Sequence, residues 1–281
     1  MVYVVWGTSY LAMKVALGGF PPMLLTGLRT SFAGAVLWAL LGVRGGRLSG
    51  TGWVAEAASG VLIVTLGGTL LAAGLRAGGS GMAAIMFSVM PIFTCLLGNW
   101  RDGEIPRLRW IGSGFGAAGI MLMTWNASSS KGGPGPNAMV LGSALATSVG
   151  TLWLTRTRRS DRPRPGPTSL LAFSARQLLI GGAATIAIAL ALGERVASWP
   201  SFEAWWAFAY LVLVVSALGY LAFNHVALQA GPAVATSYAF VNPLVAVALG
   251  AVLLGEPLTP FHVVAMGITL LGVVLVLQPP P

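Results

Sequence analysis

The chain holds 281 residues, 56% of them hydrophobic and only 8% charged, with a mean hydropathy of +0.82. A water-soluble domain carries about 25% charged residues, so this surface cannot face water all round and must meet lipid. The formal charge of +9 invites a nucleic-acid partner, but its distribution argues against one, because the arginines sit in short gaps between apolar runs ("RGGR" at 44–47, "RTRRSDRPRP" at 156–165) and not on one folded face.

Ten apolar runs separated by charged or Gly/Pro-rich breaks predict ten spanning helices. They lie near residues 2–17, 22–43, 53–75, 82–100, 108–125, 138–155, 169–192, 204–224, 233–254 and 261–277. The first lacks the basic start and small-residue cleavage site of a removable signal, so it reads as the first span. No run shows the polar/apolar alternation of an outer-membrane barrel strand. With the N-terminus inside, the cytoplasmic loops collect Arg44, Arg47, Arg101, Arg107, Arg109, Arg156, Arg158, Arg159, Arg162 and Arg164. The outer loops hold only Arg76, Lys131 and Arg195. That bias places both termini in the cytoplasm of a multi-pass inner-membrane protein.

A phrase of the chain recurs. "PIFTCLLGNWRDGE" (91–104) and "PLVAVALGAVLLGE" (243–256) share P-x6-G-x4-G-E, with Pro91, Gly98, Gly103 and Glu104 answered by Pro243, Gly250, Gly255 and Glu256. Gly79 and Gly231 precede the two prolines at equal distance, and Arg29 in "GLRTS" matches Arg176 in "SARQL". Two units of five helices follow, residues 1–130 and 131–281, and an odd number inverts the second against the first. The expected fold is an all-α integral membrane protein with ten transmembrane helices as two inverted five-helix repeats. Pro91 and Pro243 fall near the middle of the fourth and ninth runs, where each removes a backbone donor; both are read as hinges. Glu104 and Glu256 read as turn residues at the start of the next helix.

These residues carry a resemblance. The opening "WGTSYLAMKVALGGFPPMLLTGLRTSFAGAVL" and the two P-x6-G-x4-G-E phrases resemble the EamA branch of the drug/metabolite transporter superfamily across essentially the whole chain. The ending "NWRDGEIPRLRW" in the first copy is more charged than its apolar counterpart in the second. The resemblance implies a ten-helix carrier and, as in many bacterial members, export of amino acids and related small metabolites. The alternatives are a broader drug or sugar-derivative efflux carrier, or a non-transporting membrane enzyme or scaffold.

Several motifs offer chemistry and lack its context. "GFGAAG" (114–119) follows no strand, so with Gly112 it reads as a small-residue packing face and not a dinucleotide site. "GGSG" (78–81) would need His225 or His262 within hydrogen-bond reach of Ser80, and both belong elsewhere in the fold. No metal motif, cofactor fingerprint or catalytic set is recognised, so no cofactor and no enzyme activity are expected. Lys14 reads as snorkelling to the headgroups from near the outer end of helix one. Arg29 and Arg176 recur in both halves, which favours structural roles over substrate binding. No carboxylate lies deep in a span, since Glu56 and Glu203 fall near helix starts, and coupling through a central acid is disfavoured.

A site for a zwitterionic metabolite needs neutral donors and acceptors between aromatic walls. The first run offers Trp6, Thr8 and Ser9, besides Tyr3; the eighth offers Ser216, Tyr220 and Asn224; the ninth offers Ser237, Tyr238 and Asn242, besides Thr236. The first repeat has Met90 where the second has Asn242, an asymmetry that a substrate site requires. The partners expected are a small-molecule substrate and the lipid bilayer, with the oligomeric state open.

Overall fold

The computed structural model describes residues 2–44, 53–77, 80–102, 107–125, 134–157, 166–254 and 260–278. Glu104 and Glu256, with Arg47, Arg158, Arg159, Arg162 and Arg164 of the arginines counted for orientation, lie outside the described residues. The helices are α1 (Val2–Ala16), α2 (Pro22–Val43), α3 (Trp53–Ala77), α4 (Ser80–Phe87), α5 (Met90–Asp102) and α6 (Arg107–Trp125). They continue as α7 (Pro134–Thr157), α8 (Pro167–Ala191), α9 (Phe202–Ala230), α10 (Pro232–Thr236), α11 (Tyr238–Leu254) and α12 (Pro260–Leu277).

The expectation of ten transmembrane helices is corrected. Among the described residues, five helices are long and apolar enough to cross a bilayer: α2, α3, α7, α8 and α9. Length and interruption explain the difference. With 15 residues, α1 extends only about 22 Å at 1.5 Å per residue, against a hydrocarbon core of about 30 Å. The fourth run is broken at Ser88–Val89 into α4 and α5, and the ninth at Ser237 into α10 and α11. Arg107 and Arg109 open α6.

Local sequence sets the helix ends. Pro22 takes the first position of α2, where its missing N–H costs nothing. The Glu194 carboxylate then accepts from the free N–H groups of Leu24 (2.9 Å) and Met23 (3.4 Å), placing negative charge at the positive end of that helix. Ser201 caps α9 by accepting from the Ala204 N–H at 3.3 Å. Gly231, at φ 89°, turns the chain between α9 and α10.

Sequence-related helices pack against one another. The closest neighbours are α2 with α8, and α6 with α12. At the first crossing a Cβ on Gly34 would stand 3.0 Å from the Ala175 carbonyl, and one on Gly27 3.1 Å from that of Gly182. At the second, a Cβ on Gly272 would stand 2.5 Å from the Gly116 nitrogen and 2.6 Å from the Gly112 carbonyl, so "GFGAAG" with Gly112 is a packing face. The two matching helices α3 and α9 each contain a π-helical stretch, Gly60–Gly68 and Leu211–Leu218. Such widened turns recur at functional sites.

Polar residues inside the apolar helices are satisfied locally. In α7 the hydroxyls of Thr147, Ser148, Thr151 and Thr155 bond carbonyls four residues back at 2.7–3.0 Å. Ser148 Oγ also lies 2.9 Å from the Met90 carbonyl, beside the α4–α5 break.

Candidate functional site

Residues of α1, α2, α3, α4, α7, α9 and α11 line a partly open cavity of about 60 Å³. Both π-helical stretches border it, through Ile63, Gly67 and Gly68 on α3 and Val215 on α9. On α1, Trp6, Ser9, Tyr10 and Met13 repeat at helical spacing and so present one face to it.

An aromatic cluster shapes this cavity. The Trp6 ring packs edge-on against Tyr238 at 4.4 Å and Tyr220 at 5.4 Å, and lies 5.1 Å from Phe223. Its Nε1–H donates to the Val215 carbonyl at 3.0 Å, so the indole is fixed by the π-helical backbone of α9. Tyr238 is also the wall of a second, larger hollow of about 440 Å³, bounded by Val2, Tyr3, Leu170, Phe223, His225 and Val234 among others. The cluster therefore stands between the inner cavity and a mostly apolar vestibule near the start of α1.

The sequence-selected residues divide into three groups. Trp6, Ser9, Tyr220, Tyr238 and Asn242 line the cavity. Thr8, Ser216 and Ser237 are not among its walls and act as fastenings between helices. The Thr8 hydroxyl lies 2.5 Å from the Tyr210 hydroxyl, Ser237 Oγ 2.8 Å from the Tyr3 hydroxyl, and Ser216 Oγ accepts from Arg29 Nη1 at 3.0 Å. Asn224 stands apart from the cavity. It donates to Ser174 Oγ (3.0 Å) and Gln177 Oε1 (2.7 Å), and Gln177 in turn donates to Ser59 Oγ at 3.1 Å. Next to that network the Arg176 guanidinium forms an ion pair with Glu56, whose side chain is fully buried.

The two proline positions differ. Pro243 lies inside α11, whereas Pro91 is the second residue of α5, just beyond the break. Lys14 is exposed and donates to the Leu75 carbonyl at 3.4 Å near the C-terminus of α3, as a lysine snorkelling from a helix end would. Trp199, Phe202 and Trp206 are exposed around the start of α9, as an aromatic interfacial belt would be.

Sequence reasoning missed Tyr10, Met13, Ser143 and Thr147 as lining, and assigned Arg29 elsewhere. Spacing carried a signal for several of them. Tyr10 and Met13 lie four and seven residues after Trp6 on one helix face, and Thr147 lies four after Ser143.

Comparison with known proteins places the chain. The model of the EamA-like transporter family matches residues 1–125 and again 137–278. The uncharacterized inner membrane transporter YedA of Escherichia coli K12 is 30% identical over 277 residues, covering 98% of this chain and 88% of its own. The uncharacterized transporter sll0355 of Synechocystis is 27% identical, covering 98% of this chain and 87% of its own. One crystal structure superposes with a TM-score of 0.78 at 18% identity, over 98% of this chain and 93% of that one, which shows a shared fold. Two family matches spanning nearly the whole sequence, with a relative of 30% identity over almost its full length, are decisive: the chain belongs to the EamA-like transporter family and is a multi-pass transporter of the inner membrane.

Proposed function

We propose that the chain exports amino acids and related small metabolites by alternating access. The observation that carries this reading is the central cavity, whose walls combine aromatic rings (Trp6, Tyr10, Tyr220, Tyr238) with a few buried polar groups (Ser9, Asn242). A small amphiphilic metabolite needs that composition, with apolar faces for its side chain and a few fixed partners for its polar head. The two EamA-type units, residues 1–130 and 131–281, move against each other, with Pro91 and Pro243 as hinges and both termini in the cytoplasm. The closed state of the aromatic cluster is one end of the cycle, and its opening joins the cavity to the vestibule beneath Tyr238.

Counterflow in proteoliposomes tests the reading, with labelled methionine, threonine and phenylalanine outside and unlabelled amino acid inside, with and without a pH gradient. Accumulation of at least one label is expected. No accumulation of any of the three would move the substrate to drug-like or sugar-derived compounds.

A further inference from the structure

Arg29 and Arg176 occupy matching places in the two halves of the sequence, yet their surroundings are opposite. Arg176 is neutralised by Glu56. Arg29 is only 4% exposed and lines the central cavity, where no carboxylate stands among the described residues. Its Nη1 donates to the neutral Ser216 hydroxyl at 3.0 Å, and its Nε–H has no partner. A guanidinium stays charged at any physiological pH. Burying it in a membrane protein without an anion is costly, and such residues are kept where they meet a ligand or a partner.

The backbone beside this cation is closely packed. Gly67 and Gly68, in the π-helical stretch of α3, border the cavity next to Arg29, and a Cβ on Gly68 would stand 3.9 Å from Arg29 Nη2. The same Cβ would stand 2.8 Å from Thr26 Cγ2, and one on Gly67 2.5 Å from Thr147 Oγ1, so only glycine lets the α3 backbone come this near to Arg29. A second buried atom in the same cavity also lacks a partner, Asn242 Oδ1, which is an acceptor. The cavity thus presents one unmatched donor, Arg29 Nε–H, and one unmatched acceptor, Asn242 Oδ1.

We propose that Arg29 is the carboxylate anchor of the transported substrate, and that the carrier selects small monoanionic carboxyl groups attached to an apolar or aromatic body. This rests on the transport reading and deepens it. A planar carboxylate fits the free edge of the guanidinium, Nε–H with the adjacent Nη–H, in the bidentate geometry that arginine favours. One cation matches one negative charge, so dianionic phosphate esters fit poorly. In amino acids, Asn242 Oδ1 accepts from the ammonium group.

The test compares matched acids and amides on the purified full chain in detergent, by ligand-induced shifts of the melting temperature. The pairs are L-phenylalanine with L-phenylalaninamide, 3-phenylpropionate with 3-phenylpropionamide, and hexanoate with hexanamide, all at constant chloride. In each pair the acid should bind wild type about 10- to 100-fold more tightly, as a charge-assisted hydrogen-bonded pair predicts. Arg29→Gln should erase that preference, bringing acid and amide affinities together. Arg29→Lys keeps the charge and loses the fork, and should reduce the preference by about tenfold; it carries the test if Arg29→Gln does not fold. Equal binding of acids and amides to wild type, or an acid preference that survives in the Arg29 variants, overturns the proposal. The non-amino acids separate the two ideas. A preference for 3-phenylpropionate with no amino-acid counterflow sinks the amino-acid reading and leaves the anchor standing. Amino-acid counterflow with no acid preference does the reverse.

Discussion

The indole Nε1–H of Trp6 donates to the carbonyl of Val215 at 3.0 Å, tying the cavity-facing side of α1 to the π-helical stretch of α9. A buried indole requires such a partner, and Gly219, one turn beyond Val215, leaves room for the ring. A Cβ at Gly219 would overlap the Trp6 nitrogen. Gly219→Ala should therefore push the ring off its acceptor, lowering stability by about 1–3 kcal/mol through overpacking and reducing counterflow at least about tenfold. Trp6→Phe keeps an aromatic wall but loses the hydrogen bond to the Val215 carbonyl, at about 1 kcal/mol. Melting curves and initial counterflow rates on both variants check this. Wild-type flux in Gly219→Ala would mean that the position of the Trp6 ring does not govern access.

The ion pair between Arg176 and Glu56 is structural in its surroundings, joining α8 to α3 beside the Ser59–Gln177–Asn224–Ser174 network. Glu56→Gln strands the Arg176 charge and should cost about 3 kcal/mol, because removing one partner of a buried pair leaves the other uncompensated. The double variant Glu56→Gln/Arg176→Gln should recover much of that loss. Thermal unfolding of the two single variants and the double variant closes the cycle. Additive losses would show that the two side chains act separately.

Much of this molecule is legible in its sequence because lipid leaves few options. The apolar runs gave helices close to the expected boundaries in α2, α8 and α12, since backbone groups in hydrocarbon must bond within their own segment. The count of spanning helices was not legible. Whether a run such as 82–100 is one helix or two depends on a break at Ser88–Val89, which Ser148 of α7 supports through the Met90 carbonyl. That contact joins residues 58 positions apart, and no local pattern reports it. The cavity face of α1 was half legible. Trp6 and Ser9 stood out by composition, whereas Tyr10 and Met13 needed only the helical period applied to Trp6. Arg29 shows the limit most clearly. Its match with Arg176 pointed to a shared role, and only the location of Glu56 beside one of the two separates them.

The two prolines should differ in what they do. Pro243 sits inside α11 and deprives the Ala239 carbonyl, four residues back, of its helical donor. Pro243→Ala restores that donor and should stabilise α11 by about 1 kcal/mol or more, while slowing counterflow if the helix bends there during transport. Pro91 is the second residue of α5, a position with no intrahelical donor to lose. Pro91→Ala should therefore be close to neutral in stability. Counterflow unchanged in both variants would remove both prolines from the transport cycle.

Asn242 and Asn224 are both buried asparagines on the second half of the chain, 1% and 0% exposed, and they should fail in opposite ways. Asn224 spends its side-chain N–H groups on Ser174 and Gln177, holding α9 to α8 away from the cavity. Asn224→Ala should destabilise the protein by about 1–3 kcal/mol, because it leaves the Gln177 amide oxygen without its donor, while the affinity of whatever folds stays near wild type. Asn242 borders the cavity with its Oδ1 unpaired and its side chain hydrogen-bonded to Tyr10, so Asn242→Ala gives up that one bond and at the same time relieves a buried acceptor. Its stability should remain within about 1 kcal/mol of wild type. Its cost falls on the substrate instead, through a half-saturation concentration raised about tenfold by the loss of one polar contact. Melting temperature and concentration-dependent counterflow on the same two preparations separate the outcomes. Flux through Asn242→Ala equal to wild type at every concentration would place the substrate contacts on other residues.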